Sequence, residues 1–283
     1  MKKRTILYIV ISTFCVIAIG VGMYYQIFIA GEEQFNEITT QNQVGSTTQQ
    51  EQTQEELKAE FDSLFDNNLH EQGYDTSSVQ KIAGHEEQPL VYAAYNIQEE
   101  QNEKYSVDIN LPVFNIDGEI AAEFNNTTQS IFANKANDVL NNAQVYTIYN
   151  VNYVAYVDDN ILSLIIKSTL KEGNNPQRVI VQTYNYNLST GQKVILNDVL
   201  TSQGYETRAV NLQIDDVVRK AAEDAQAISQ AAGQTIYQRD PDNAMYVTDN
   251  VNNFFIGENG IIYIIYAYGN NNYTSEMDII KLS

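Results

Sequence analysis

The sequence predicts an α+β fold: an antiparallel β-meander sheet packed against two long helices, preceded by one transmembrane helix. Three observations predict it. A charge-free apolar run sits near the N-terminus. Two later stretches keep an apolar period close to 3.6 residues. Around them lie Tyr-, Val- and Ile-rich runs separated by tight turns, the pattern of half-buried strands. Helices and strands in this order favour α+β over a parallel doubly wound sheet.

The chain has 283 residues, 43% of them hydrophobic, enough for one compact domain with an anchor and a tether. Tyr is frequent, with 20 residues, and Trp is absent. Asn and Gln are abundant beyond the apolar run. The only cysteine is Cys15, inside that run, so neither an internal disulfide nor a Cys-based zinc site can form in the rest of the chain.

Residues 1–4 contain Lys2, Lys3 and Arg4, and residues 5–30 carry no charge. The run is long enough to cross a hydrocarbon core of roughly 30 Å. Tyr24 and Tyr25 suit its outer interface. Basic residues precede the span and Glu32 and Glu33 follow it, which predicts a cytoplasmic N-terminus and an extracellular C-terminal bulk in a single-pass membrane protein. A cleaved signal peptide is disfavoured by the length of the run and by Phe28 at the −3 position of the best exit site. Phe14 before Cys15 argues against a lipoprotein.

Residues 31–55 are Gln-, Thr- and Asn-rich and predict a flexible tether. Residues 56–80 are expected to form a juxtamembrane amphipathic helix, with Leu57, Phe61, Leu64, Phe65 and Leu69 on one face. It could dock on the domain or pair with another copy. The α+β domain is expected over 81–283. Its first strands are 91–95 and 105–111. A helix follows Asp117, with Ile120, Phe124, Thr127, Ile131, Val139 and Leu140 as its buried stripe. Strands over 145–157, 161–170 and 179–188 form the meander, with turns at Asp158-Asp159-Asn160, Gly173-Asn-Asn-Pro176 and Ser189-Thr-Gly191 before a short strand over 194–196. A second helix is expected over 207–232, with Val210, Ile214, Val217, Ala221, Ala225, Ile228 and Ala232 inward. Strands over 244–247, 253–256, 261–266 and 277–282 close the chain.

All 36 acidic residues lie beyond residue 31, with 13 of the 16 basic ones, so that part carries a formal charge of −23. Such a surface repels nucleic acid and attracts cationic partners or metal ions; it also simply keeps an exposed domain soluble.

Few residues point to chemistry. His70 is expected to close the amphipathic helix and His85 to lie in a polar loop, neither beside partners that would make a triad or metal site. Paired carboxylates can hydrolyse glycosides without His. The pairs are Asp158/Asp159, Asp215/Asp216 and Asp240/Asp242. The first reads as a hairpin turn, the second as the polar side of a helix. Asp240-Pro241-Asp242-Asn243 reads as a turn or a weak calcium loop. Tyr184, Tyr186, Tyr263, Tyr266 and Tyr268 could present rings to sugar or protein, or face the core. No catalytic, cofactor-binding or metal residue is assigned on these grounds.

The segment Ile161-Leu-Ser-Leu, then Tyr184-Asn-Tyr-Asn-Leu-Ser-Thr-Gly191-Gln-Lys-Val-Ile-Leu-Asn-Asp198-Val-Leu200, resembles the exterior domain shared by the lysozyme-sensing anti-sigma factor RsiV and the peptidoglycan deacetylase PdaC. Asn253-Phe-Phe-Ile-Gly-Glu-Asn-Gly260-Ile-Ile-Tyr is similar to the C-terminal half of that module. The resemblance runs from about Tyr92 to Leu282. It implies an envelope module used for binding. The turn often written Gly-Ala-His in that family is Gly173-Asn-Asn-Pro176 here, and no deacetylase or sigma-binding domain is recognised. The expected function is therefore a non-catalytic, membrane-anchored binding or sensing module of a bacterial envelope, with a cationic protein such as lysozyme as a partner. The alternatives are a wall-acting hydrolase using paired carboxylates, or a structural subunit of a membrane complex. A cleft holding two acids, one with a raised pKa, would favour the hydrolase.

Overall fold

The computed structural model describes residues 52–232 and 236–282. The expected membrane span, 5–30, its cytoplasmic flank and most of the tether lie outside these residues. Among the described residues no helix is long and apolar enough to cross a membrane.

Helix α1, Gln54–Ser63, starts on a capping box. The Thr53 hydroxyl accepts from the Glu56 N–H, and the Glu56 carboxylate accepts from the Thr53 N–H at 2.8 Å. The expected helix over 56–80 is corrected here. Although apolar residues at helical spacing continue past Phe61, Asn67 takes a left-handed conformation, φ 61°, and turns the chain. Its N–H donates to the Tyr153 carbonyl at 2.9 Å and its Oδ1 accepts from the Tyr153 N–H at 3.0 Å. The chain then runs on as strand β1, Leu69–Gln72. His70 thus lies in a strand and closes no helix.

Strands β2, Val91–Gln101, and β3, Tyr105–Phe114, form an antiparallel hairpin, the first much longer than expected. The next helical rod is α2, Glu119–Thr128, a π-turn over Gln129–Ala133, and α3, Asn134–Asn142. The π-turn inserts extra backbone into the ladder and resets the phase. The buried stripe is Ala121, Phe124, Thr128, Phe132, Ala136 and Val139, one residue off the expected line at Thr127 and Ile131, which flank it half-buried.

Strands β4, Thr147–Asp158, β5, Ile161–Glu172, β6, Arg178–Asn187, and β7, Gln192–Lys193, form an antiparallel meander. The sheet as a whole is mixed, which corrects the expectation of a purely antiparallel one. The α2–α3 rod carries the chain back across the sheet, so β4 returns parallel to β3 over Thr147–Val151. Strand β1 takes up the far end of the same edge, parallel to Ala155–Asp158.

The short strand expected over 194–196 is absent: β7 ends at Lys193 and helix α4, Leu196–Ser202, begins at once. Helix α5 spans Thr207–Ala232, the bounds read from its period. Residues 244–247 form no strand. Asn243 accepts from the Met245 N–H and caps a single 3-10 turn, Ala244–Tyr246. Strands β8, Phe254–Ile256, β9, Ile262–Ala267, and β10, Met277–Leu282, make a separate sheet ordered β10-β9-β8.

Three apolar cores stack these elements in layers. The α2–α3 rod covers one face of the large sheet through Phe124, Phe132, Tyr149, Leu164 and Tyr184. The small sheet and α1 cover its other face, where Phe61, Tyr156, Ile165, Phe255 and Ile279 meet. Helices α4 and α5 cover the outer face of the small sheet through Leu200, Ile214, Val218, Ile264 and Ile280. Strands β4 to β6 are therefore buried on both faces over much of their length, which accounts for their near-continuous apolar runs.

Candidate functional site

The turn joining β4 to β5 places Asp158 and Asp159 together, Asp159 in the left-handed region at φ 49°. The loop after β8 passes beside them, with Asn259 at φ 59° and Gly260 at φ 74°. At Gly260 a side chain would meet the Asp158 Oδ2 at 3.3 Å and the Gln203 Nε2 at 3.4 Å, so glycine lets this loop close on the carboxylate. The result is a cleft of about 460 Å³ lined by Asp158, Asp159, Gln203, Tyr205, Asn259 and Gly260. Burial, and then the neighbouring Asp159 charge, raise the Asp158 pKa. Tyr156, on the same strand, is pushed up to about 12 by burial and by the charges of Glu258 and Asp66. This end of the molecule is thus a focus of negative potential.

The other sequence candidates are dispersed. Asp215 and Asp242 both bond the Arg219 guanidinium at 2.9 Å, holding α5 to the loop that follows it. Asp240 accepts from the Asp242 N–H at 3.3 Å, an Asx turn. His70 bonds Asp66 at 3.0 Å and stacks on Tyr156. His85 bonds the Tyr92 hydroxyl at 3.0 Å. Tyr184, Tyr186, Tyr263, Tyr266 and Tyr268 are all buried, so none presents a ring to solvent.

A polar cluster that the sequence reading did not find lies under α5. Arg239 grips Asp278 through two bonds, 2.7 and 2.8 Å, and reaches Glu276 at 3.0 Å. The side chains of Arg239 and Asp278 are 3% and 1% exposed. The Tyr268 hydroxyl donates to Asp278 at 2.5 Å and meets the Tyr246 hydroxyl at 2.9 Å. Burial and the Asp278 charge push the Tyr268 pKa far up, so the phenol stays a donor. The available signal was Asp278 itself, a charge set within the apolar run Met277-Asp-Ile-Ile. This cluster joins the loop after α5 to β10 through the buried Arg239–Asp278 pair.

Eight of the cationic side chains are engaged. Lys135, Lys167, Arg219, Arg239 and Lys281 are held by carboxylates. Lys81, Lys171 and Arg178 donate to backbone carbonyls. Much of the scarce positive charge is thereby engaged in contacts within the fold, while Glu86, Glu87, Glu99, Glu100, Glu103, Asp159 and Glu258 stay exposed.

No protein-family model and no curated protein matches the chain. Among solved structures it is similar to a DUF3298 family protein from Pseudomonas aeruginosa PAO1, at 16% identity and a TM-score of 0.37, over 65% of this chain and 83% of that one. It is also similar to a member of the DUF3298 family from Bacteroides fragilis NCTC 9343, at 11% identity and a TM-score of 0.30, over 63% and 79% of the two chains. A likeness this distant says nothing of activity.

Proposed function

We propose that the protein is a membrane-anchored, extracellular binding module of a bacterial envelope, with cationic proteins or peptides as its partners. The charge distribution carries this reading. Beyond residue 31 acidic residues outnumber basic ones by 23, and Glu86, Glu87, Glu99, Glu100, Glu103, Asp159 and Glu258 stay exposed. The cleft at Asp158 and Asp159 concentrates that field where a Lys or Arg side chain can enter. The resemblance to the exterior domain of RsiV and PdaC supports the same class of function. Titration of the full-length chain with lysozyme and with hexalysine at low and physiological salt tests it. Saturable binding whose association rate falls steeply with salt is expected. No binding of either cation at either salt concentration overturns the reading.

A second reading has one specific observation in its favour. Two acids share a cleft, and one of them has a raised pKa, a feature that a general acid of a carboxylate hydrolase would use. In that case Asp158 is the proton donor and Asp159 the base or nucleophile. Turnover of peptidoglycan by the full-length chain that disappears in D158N would establish it, and absence of turnover would remove it.

A further inference from the structure

The small sheet contains a wedge that its own strands do not fill. Strand β8 pairs with β9 only from Ile262 to Ile264, while β9 continues to Ala267. The last rung on that side is the Ile265 N–H donating to the Asn253 carbonyl at 2.9 Å. Beyond it the two chains part. On the opposite side of β9, the Tyr268 N–H donates to the Glu276 carbonyl at 3.1 Å, so the ladder to β10 uses the even-numbered residues there. Strand alternation then turns the Ile265 carbonyl and the Ala267 N–H toward the gap.

The gap is a cavity of about 340 Å³. Six carboxamides line it: Gln182, Asn250, Asn252, Asn253, Asn270 and Asn271. Three of them are fixed. Asn250 donates to the Ala244 carbonyl at 2.7 Å. Asn253 accepts from the Thr183 N–H at 3.3 Å. Asn270 bonds both the N–H and the carbonyl of Val181, at 3.0 and 2.9 Å. The other three, Gln182, Asn252 and Asn271, make no side-chain hydrogen bond within the described residues. A held scaffold thus carries free amide donors and acceptors around one cavity. Ile265, Ala267 and Met245 give it an apolar side.

The lining contains no Lys, Arg, His, Asp or Glu, although the chain around it is strongly acidic. Coulombic attraction therefore cannot select the occupant. A carboxamide offers a donor pair and an acceptor side by side, which matches a hydroxyl or an N-acetyl group, since each both gives and takes hydrogen bonds. The volume falls at the lower end of small-ligand sites. We propose that this cavity binds a neutral saccharide, separately from the charged cleft at Asp158.

Chitotetraose and cellotetraose serve as probes, one N-acetylated and one bearing hydroxyls alone, titrated into the full-length chain by ligand-observed NMR. Saturable binding of at least one is expected, unchanged between low and physiological salt. Gln182 is half-buried while Asn252 and Asn271 are exposed, so Q182A and the double variant N252A/N271A should melt as wild type does. Each should weaken saccharide binding, the double variant by about tenfold for two lost hydrogen bonds. Hexalysine binding should be indifferent to both. Failure of both saccharides to bind, or binding that neither variant weakens, overturns the proposal. Loss of hexalysine binding alone bears on the charged cleft and leaves this cavity untouched.

Discussion

Asn270 stands in for a missing strand beside Val181. Its carboxamide accepts from the Val181 N–H and donates to the Val181 carbonyl, at 3.0 and 2.9 Å. Strand β7 covers only the end of β6, at Tyr186 and Asn187, so the rest of that edge would otherwise be open. Neighbouring groups complete the cover: the Val179 N–H donates to the Thr274 carbonyl and the Thr183 N–H to Asn253. Asn125 grips Phe114 in the same two-bond way, as Gln54 grips Ile279. The abundance of carboxamides noted in the sequence has this structural use.

N270A should therefore destabilise the fold by about 1–3 kcal/mol, the cost of leaving partly buried backbone groups unpaired. Urea unfolding measures it. The exposed β6 edge should also make the variant associate, which light scattering at raised concentration would detect.

R239A should be far more damaging. It leaves Asp278, 1% exposed at its side chain, without its cation, and breaking a buried pair from one side costs about 3–5 kcal/mol. The double variant R239M/D278L should recover much of the loss, because two apolar groups need no solvation. A double variant no more stable than R239A would show that Tyr268 and Glu276 depend on the pair as well.

Helix α1 should behave as part of the core. Phe61 is fully buried against Phe65 and Phe255, so F61A should cost about 3–5 kcal/mol. Glu60 adds a pH-dependent clamp through Lys281 at 2.8 Å and Tyr263 at 2.5 Å. Burial works to raise its pKa, but the hydrogen bonds from Lys281, Tyr263 and Gln52 outweigh it, and the net shift is downward. A carboxylate with a lowered folded pKa stabilises the fold above its unfolded value near 4.5, and that contribution is lost as pH falls through the folded pKa. Melting of E60Q should accordingly differ from wild type at neutral pH and converge with it in acid.

Asp158 should show the opposite sign. Its folded pKa is raised, so its charge opposes folding above the unfolded value near 3.8, and the penalty is absent below it. D158N should melt higher than wild type at pH 7 and equally at pH 3. A lower melting temperature at pH 7 would mean that the carboxylate makes a stabilising contact in the cleft.

Much of the chain could be read from local pattern. Helix α5 occupies the span that its apolar period marks, and the turns at Asp158-Asp159 and Ser189-Thr-Gly191 divide the meander. These features depend on side-chain periodicity and turn chemistry, which act over a few residues. The acidic cleft was visible only as a hairpin turn, because Gln203, Tyr205 and Gly260 reach it from elsewhere in the chain.

By itself, then, the sequence determined the charge, the span of helix α5 and the positions of the main turns of the meander. Tertiary structure decided where pattern gave way to pairing. Leu69 and His70 continue a helical apolar stripe, yet they form a strand, because Asn67 and the free end of the β4 edge supply backbone hydrogen bonds that no local helix offers. The one-residue shift of the α2–α3 stripe follows from a π-turn within the rod. Arg239 and Asp278, and the carboxamides around β9, come together from segments far apart, and their meaning lies in distances that periodicity does not encode.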